Sequence, residues 1–214
     1  MSIYIPSHFV PHERSAAMRL IHDYPFATLL TPNADEPAIT HLPLVHVADC
    51  EPHGTLLGHF ARANPHADAA EAQESIAVFQ GPHAYVSPSL YANPAGAVPT
   101  WNYAVVHAHG TLHLASDPAE TRAILDTMIT RFESSRPAPW KVGLEPPQLE
   151  AMVGAIIGFR LRIKRLEVKF KLSQNRNGED QRRVAEALAT SGDPDGVTTA
   201  AWMRAYGDAG RGQK

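Results

Sequence analysis

A single cysteine, Cys50, in 214 residues rules out an internal disulfide and a cage of thiolate metal ligands. Nowhere does the chain approach the ~20 unbroken apolar residues of a membrane helix. Its first residues, MSIYIPSHFVPHER, lack the apolar stretch of a secretion signal, so the expectation is a soluble, cytoplasmic protein with no membrane partner. Positive charge is not in excess either. The 19 Lys and Arg stand against 22 Asp and Glu, a net charge of -3, which gives nucleic acid no general attraction and would confine any DNA contact to a local patch. No G-x-G-x-x-G, Walker loop or H-E-x-x-H occurs, which argues against Rossmann, P-loop and zincin chemistry. What remains is a chain long enough for one substantial domain with at most a small appendage.

The apolar pattern is mainly that of strands. An amphipathic helix is expected over residues 11–24, from Ala17, Leu20, Ile21 and Tyr24, closed by Pro25. Residues 26–31 and 38–47 read as a β-hairpin around Pro32, Asn33, Asp35 and Pro37, with a further strand over 55–60. Asn64 and Pro65 open a short helix running through HADAAEAQE. A strand over 76–80 is expected to break at Gly81 and Pro82 and resume over 83–86, followed by an irregular connector to Pro99. Residues 101–114 form the longest alternating run, the signature of a central strand, and Asp117 caps a helix carrying Ile124, Leu125, Met128, Ile129 and Phe132. Residues 134–147 read as a proline-broken link. Residues 157–172 alternate again with a phase slip at Lys164 and Arg165, the mark of a β-bulge. A helix over 178–190 follows, then a C-terminal helix or tail over 191–214, loose beyond about residue 207. Strands within hairpin reach, with helices inserted among them, predict a mainly β protein: an antiparallel barrel with peripheral helices.

Four groups of residues carry chemistry. His107, His109 and His113 share a strand face, but spacings of roughly 7 and 13 Å allow at most the first two to meet at one ion. They read as polar barrel or interface histidines, and no metal is expected. In GHFARANP, His59, Arg62 and Asn64 precede a helix start, where they form either a phosphate cradle or a surface cap. Trp101, Asn102 and Tyr103 re-enter the sheet after Pro99; the rings either stack on a planar ligand or, as is commoner for strand aromatics, fill the core. Between residues 160 and 176, seven basic residues face one acid, Glu167. Arg160, Arg162 and Lys164 read as a solvated strand face. Lys169 and Lys171 differ in running into the polar cluster Ser173, Gln174, Asn175.

Taken in order, seven segments resemble the PaiB family of FMN-binding negative transcriptional regulators, which share the flavin split barrel with pyridoxamine phosphate oxidases. They are IYIPSHF (3–9), PFATLLT (25–31), THLPLV (40–45), LLGHFARANP (56–65), FQGPHAYVSPSLY (79–91), VPTWNYAVVHAHG (98–110) and KLSQNR (171–176). The resemblance departs at Leu90, where a tryptophan is expected, so no ring stacks there.

The resemblance implies an FMN-binding split-barrel domain over residues 1–190 and a homodimer with FMN held at the subunit interface. It places Thr40, His41 and Leu42 near the isoalloxazine, largely through their backbone, and gives the phosphate to Arg62 and Asn64 with His59 nearby. Trp101, Asn102, Lys171, Ser173 and Gln174 would complete the site, from either subunit. Two activities follow: a regulator for which FMN is ligand or redox sensor, or a flavin-dependent oxidoreductase acting on a small molecule. Haem binding, as in some related barrels, would draw on a histidine such as His83, His107 or His109.

Overall fold

The structure is a computed structural model that describes residues 3–11, 13–50 and 52–207. Among the described residues seven strands are present: β1 (Phe26–Thr31), β2 (Ala38–Pro43), β3 (Val45–Val47), β4 (Thr55–Ala61), β5 (Glu74–Val86), β6 (Thr100–Leu114) and β7 (Ile156–Lys171). They form one sheet in the order β2-β1-β5-β6-β7-β4-β3, with β6 in the middle as its long alternation requires. The hairpin β1–β2 is antiparallel, from Phe26 opposite Pro43 to Thr31 opposite Ala38. Among the described residues six α-helices accompany the strands: α1 (Arg14–Asp23), α2 (His66–Ala70), α3 (Pro118–Glu133), α4 (Pro146–Gly154), α5 (Gly178–Ala189) and α6 (Pro194–Tyr206). No described helix is long and apolar enough to cross a membrane.

Two compact units divide the chain. The first comprises Tyr24–Phe79 and His107–Leu166. Its core includes Val45, Leu57, Ile124 and Met128, with Val47, Ala115 and Phe132 packed against them. Asp117 accepts a hydrogen bond from Glu120 N at 2.8 Å, satisfying one free donor of the α3 start as its sequence position predicts. The bare Gly158 lets α3 lie close, since a Cβ there would come within 2.9 Å of Ile124 Cδ1. The second unit comprises Met1–Asp23, Gln80–Val106 and Glu167–Lys214. There α6 packs through buried Trp202 and Met203, and Phe170 meets Trp202 edge-on at 5.3 Å.

Several expectations are corrected. The run 38–47 is two strands: Pro43 interrupts it, Leu44 N turns to Pro25 O at 2.9 Å, and β3 pairs with β4 instead of β1. Helix α2 ends at Ala70, with Ala72 in the left-handed region at φ 56°. Strand β5 runs unbroken through Gly81 and Pro82. Its register with β1 covers Ile76 to Val78, so a residue without an N–H further along removes no rung there. Helix α4 was not legible, because Pro146 and Pro147 suggested a linker, yet both fall at the helix start where proline is tolerated. In β7 the exposed pair Lys164 and Arg165 marks the slip, but Glu167 and Lys169 take buried positions while Leu166 and Val168 are half-buried. Trp101 does not fill the core; it is 52% exposed. The expectation of looseness beyond residue 207 lies outside the described residues.

Candidate functional site

In the first unit, β2 is an edge strand of the sheet, so part of its backbone N–H and C=O groups is left open to a ligand or another chain. Along it, Thr40 is half-buried, His41 exposed and Leu42 buried. Thr40 is a hub. Its Oγ1 accepts from Asn64 Nδ2 at 3.1 Å and shares a 2.8 Å hydrogen bond with His66 Nδ1. The other ring nitrogen of His66 bonds Thr31 Oγ1 at 2.9 Å, and Thr31 bonds Ser75 Oγ at 2.7 Å. Asn64 Oδ1 in turn accepts from His66 N at 3.0 Å. Thr31, His66 and Ser75 are all at most 3% exposed, and burial pushes the His66 imidazole below its ordinary pKa, favouring the neutral form. Thr40 and Asn64, which the resemblance gives to different parts of the cofactor, thus touch directly and share a buried relay that the sequence reading missed. The only local hint was His66 following Asn64 and Pro65.

Arg62 and His59 stand differently. The guanidinium donates from Nε to Gly154 O at 2.6 Å and from Nη2 to Ile156 O at 2.8 Å, closing the carbonyl end of α4 and leaving three N–H groups. On β4, His59 has a buried Nδ1 with no hydrogen-bond partner among the described residues, and burial lowers its pKa. Helix α2 has only five residues and the His66 N–H is spent on Asn64, whereas Arg62 keeps N–H groups beyond its two backbone bonds. Further along the sheet, the His107 and His109 rings lie 6.5 Å apart, whereas His113 is exposed and sits 3.6 Å from Glu71.

In the second unit, the exposed Trp101 ring lies 5.9 Å from Tyr85 and 6.2 Å from His83, an aromatic cluster suited to stacking. Asn102 is buried and donates to Ser173 Oγ at 2.9 Å, while Ser173 donates back to Asn102 Oδ1 at 3.2 Å. That pair holds Ser173 at φ +70°, a left-handed conformation costly for a residue with a Cβ. Gln174 is spent on its own turn, accepting from Leu172 N and donating to Phe170 O, both at 2.6 Å. Lys171 donates to Trp101 O at 2.6 Å and to Thr100 Oγ1. Burial first, then the positive charges of Lys169 and Arg176, hold its pKa below the ordinary lysine value. Asn102, Ser173 and Gln174 therefore brace the end of β7, and Lys171 brings a cation to it.

A family model described as a putative FMN-binding domain matches residues 3–165. The protease synthase and sporulation protein PAI 2 of Bacillus subtilis is 35% identical over 204 residues, covering 94% of this chain and 96% of its own. An uncharacterized protein of Aspergillus fumigatus is 33% identical over 192 residues, 72% of this chain and 74% of its own. Among solved structures, an FAD and heme binding protein from Mycobacterium smegmatis superposes with a TM-score of 0.59 at 16% identity, covering 79% of this chain and 77% of its own. A flavocytochrome from Azotobacter vinelandii gives 0.58 at 15%, covering 78% and 69%. At such identities the structural likeness speaks for the fold alone: the antiparallel split barrel with added helices.

Proposed function

Because the chain belongs to the FMN-binding family that includes the PAI 2 protein of Bacillus subtilis, we propose that it is a regulatory flavoprotein, a homodimer whose output depends on bound FMN. The observation that carries this reading is the match to PAI 2 over nearly the whole of both chains, since that protein's name ties it to protease synthesis and sporulation.

The residues fit the cofactor on chemical grounds. FMN needs charge-assisted donors for its phosphate, and Arg62 retains three N–H groups beyond the two it spends on backbone carbonyls. Its ring needs edge donors, which the open edge of β2 at Thr40, His41 and Leu42 offers in the first unit; in the second unit the exposed Trp101 indole is a flat apolar face of the kind a flavin ring stacks on. When bound, FMN supplies a planar two-electron acceptor whose redox state a regulator can read. The chain's part is to orient it. Asn64 and the His66 relay fix the Thr40 hydroxyl, and Lys171, held by Thr100 and Trp101, places positive charge where β7 ends. In this reading Asn102, Ser173 and Gln174 act by holding that strand end in place. Any contact with DNA is made with a partner protein, because a chain of net charge -3 has no general attraction for phosphates.

Titration of flavin-free protein with FMN and riboflavin tests the reading. Near one FMN per subunit is expected. Arg62→Ala should weaken FMN by roughly tenfold to a hundredfold, the worth of hydrogen bonds to a charged group, and leave riboflavin unaffected. Unchanged FMN affinity removes Arg62 from the phosphate. Steady FMN-dependent oxidation of NAD(P)H would replace the regulatory reading with an oxidoreductase.

A further inference from the structure

A cleft of about 390 Å³ opens in the second unit between the end of β7, α5 and α6. Its lining runs from Leu172 to Arg204, beyond the residues 3–165 that the FMN-binding family model matches. The floor is apolar and preformed. Leu172, Ala185 and Met203 are at most 6% exposed, and Met203 Sδ accepts from Asn102 Nδ2 at 3.4 Å. Gln181 also lines the cleft and is only 7% exposed. Its Nε2 donates to Arg176 O at 2.8 Å, which fixes the orientation of the amide, and its Oε1 accepts from no described residue. Arg182, Glu186 and Arg204 stand exposed at the rim. Arg182 and Glu186 approach only to 3.9 Å, a pair worth little in water, and the Arg204 guanidinium makes no hydrogen bond or ion pair among the described residues.

We infer that this cleft binds a small organic carboxylate with an apolar body and an N–H or O–H donor. On α5, Gln181, Arg182, Ala185 and Glu186 fall at i, i+1, i+4 and i+5, so a single helix face supplies the amide, two rim charges and part of the floor. Two guanidiniums and one carboxylate leave one positive charge at the rim, which suits a monoanion; a phosphate dianion would be repelled more strongly by Glu186. A guanidinium fork matches a carboxylate bidentately, and the donors of Arg204 are unspent on described residues. An exposed arginine in the last turn of a helix is ordinary by itself. Here it stands over a buried amide oxygen that only a ligand donor or water can satisfy, and over an apolar floor that a hydrocarbon body would cover. The volume lies within the range of small-molecule sites.

The test is calorimetric titration of the full chain with N-acetyl-leucine, which carries a carboxylate, an N–H donor and a branched apolar chain, and with N-acetyl-leucine amide, which lacks only the charge. The acid should bind saturably near one per chain, and the amide about tenfold more weakly or less. Arg204→Gln, a change at an exposed position, should reduce the acid to the level of the amide. Titrations repeated at saturating FMN should give the same affinity for the acid. No saturable binding of the acid up to about 10 mM overturns the proposal, a result that needs no variant to fold. Equal binding of acid and amide overturns it as well, as does wild-type affinity for the acid in Arg204→Gln. Loss of acid binding at saturating FMN would assign the cleft to the flavin site and so overturn a separate one. The inference does not rest on the flavin reading: a chain that binds the acid but no FMN keeps the cleft and removes that reading.

Discussion

The relay Ser75, Thr31, His66, Thr40, Asn64 shows how one buried side chain fixes several others. A neutral imidazole donates from one nitrogen and accepts at the other, so His66 can serve one hydroxyl in each role. Protonation would turn both nitrogens into donors and bury a charge, which is why the folded protein holds His66, and likewise His59, below the ordinary imidazole pKa of about 6.5. The sign of the consequence is fixed. As pH falls through the unfolded-state value, the unfolded chain takes up protons that the folded chain does not, so stability is retained above about pH 6.5 and lost progressively below it. The Tm is expected to drop by a few degrees between pH 7.5 and 5.5, and the drop should shrink in His66→Gln. Melts of both proteins across that range check it, and parallel pH profiles would show that His66 is not the titrating group.

Elements depend on positions where a side chain would not fit. On β6, a Cβ at Gly110 would lie 2.0 Å from Arg162 O, so the neighbouring backbone approaches only because this residue has none. Gly110→Ala must push β7 away, and destabilisation of about 1–3 kcal/mol is expected from overpacking. Gly143→Ala is the control, since nothing lies within 4 Å of a Cβ there. Denaturant melts of the two variants should separate clearly; equal midpoints would mean that the strand gives way without cost. The turn between β3 and β4 has a related requirement, with Gly54 at φ +76° and Val47 O only 2.3 Å from a would-be Cβ. At the same scale, β7's basic residues find unlike uses. Arg160 pairs with Glu120 at 2.8 Å and Lys164 pairs with Glu74, as a solvated face would, whereas Lys169 is drawn inside. Alternation along the strand did not distinguish these fates.

For the molecule as a whole, large apolar side chains left in water are what the proposed dimer would cover. In the first unit Phe26 is 66% exposed and Ile39 53%, and β2 ends the sheet of the described residues with an unpaired edge. Light scattering is therefore expected to give twice the 23.3 kDa chain mass. A charge placed in that surface by Phe26→Asp should shift the protein toward monomer and weaken FMN with it, if the cofactor sits at the interface. A wild-type protein that stays monomeric at micromolar concentration would remove the dimer from the functional reading.

Most strands and helices were legible because their causes are local. The long alternation of β6, the Asp117 cap of α3 and the hairpin turn between β1 and β2 are each written within one short segment. The family, too, was legible, because its motifs are contiguous runs such as LLGHFARANP and KLSQNR. What the sequence could not contain is which face of a strand is covered, and by what. Arg62 spends two donors on carbonyls more than ninety residues away. Trp101 stands outward where a core role was the commoner choice. Periodicity fixes which residues share a face; only tertiary packing decides whether water, protein or ligand meets it.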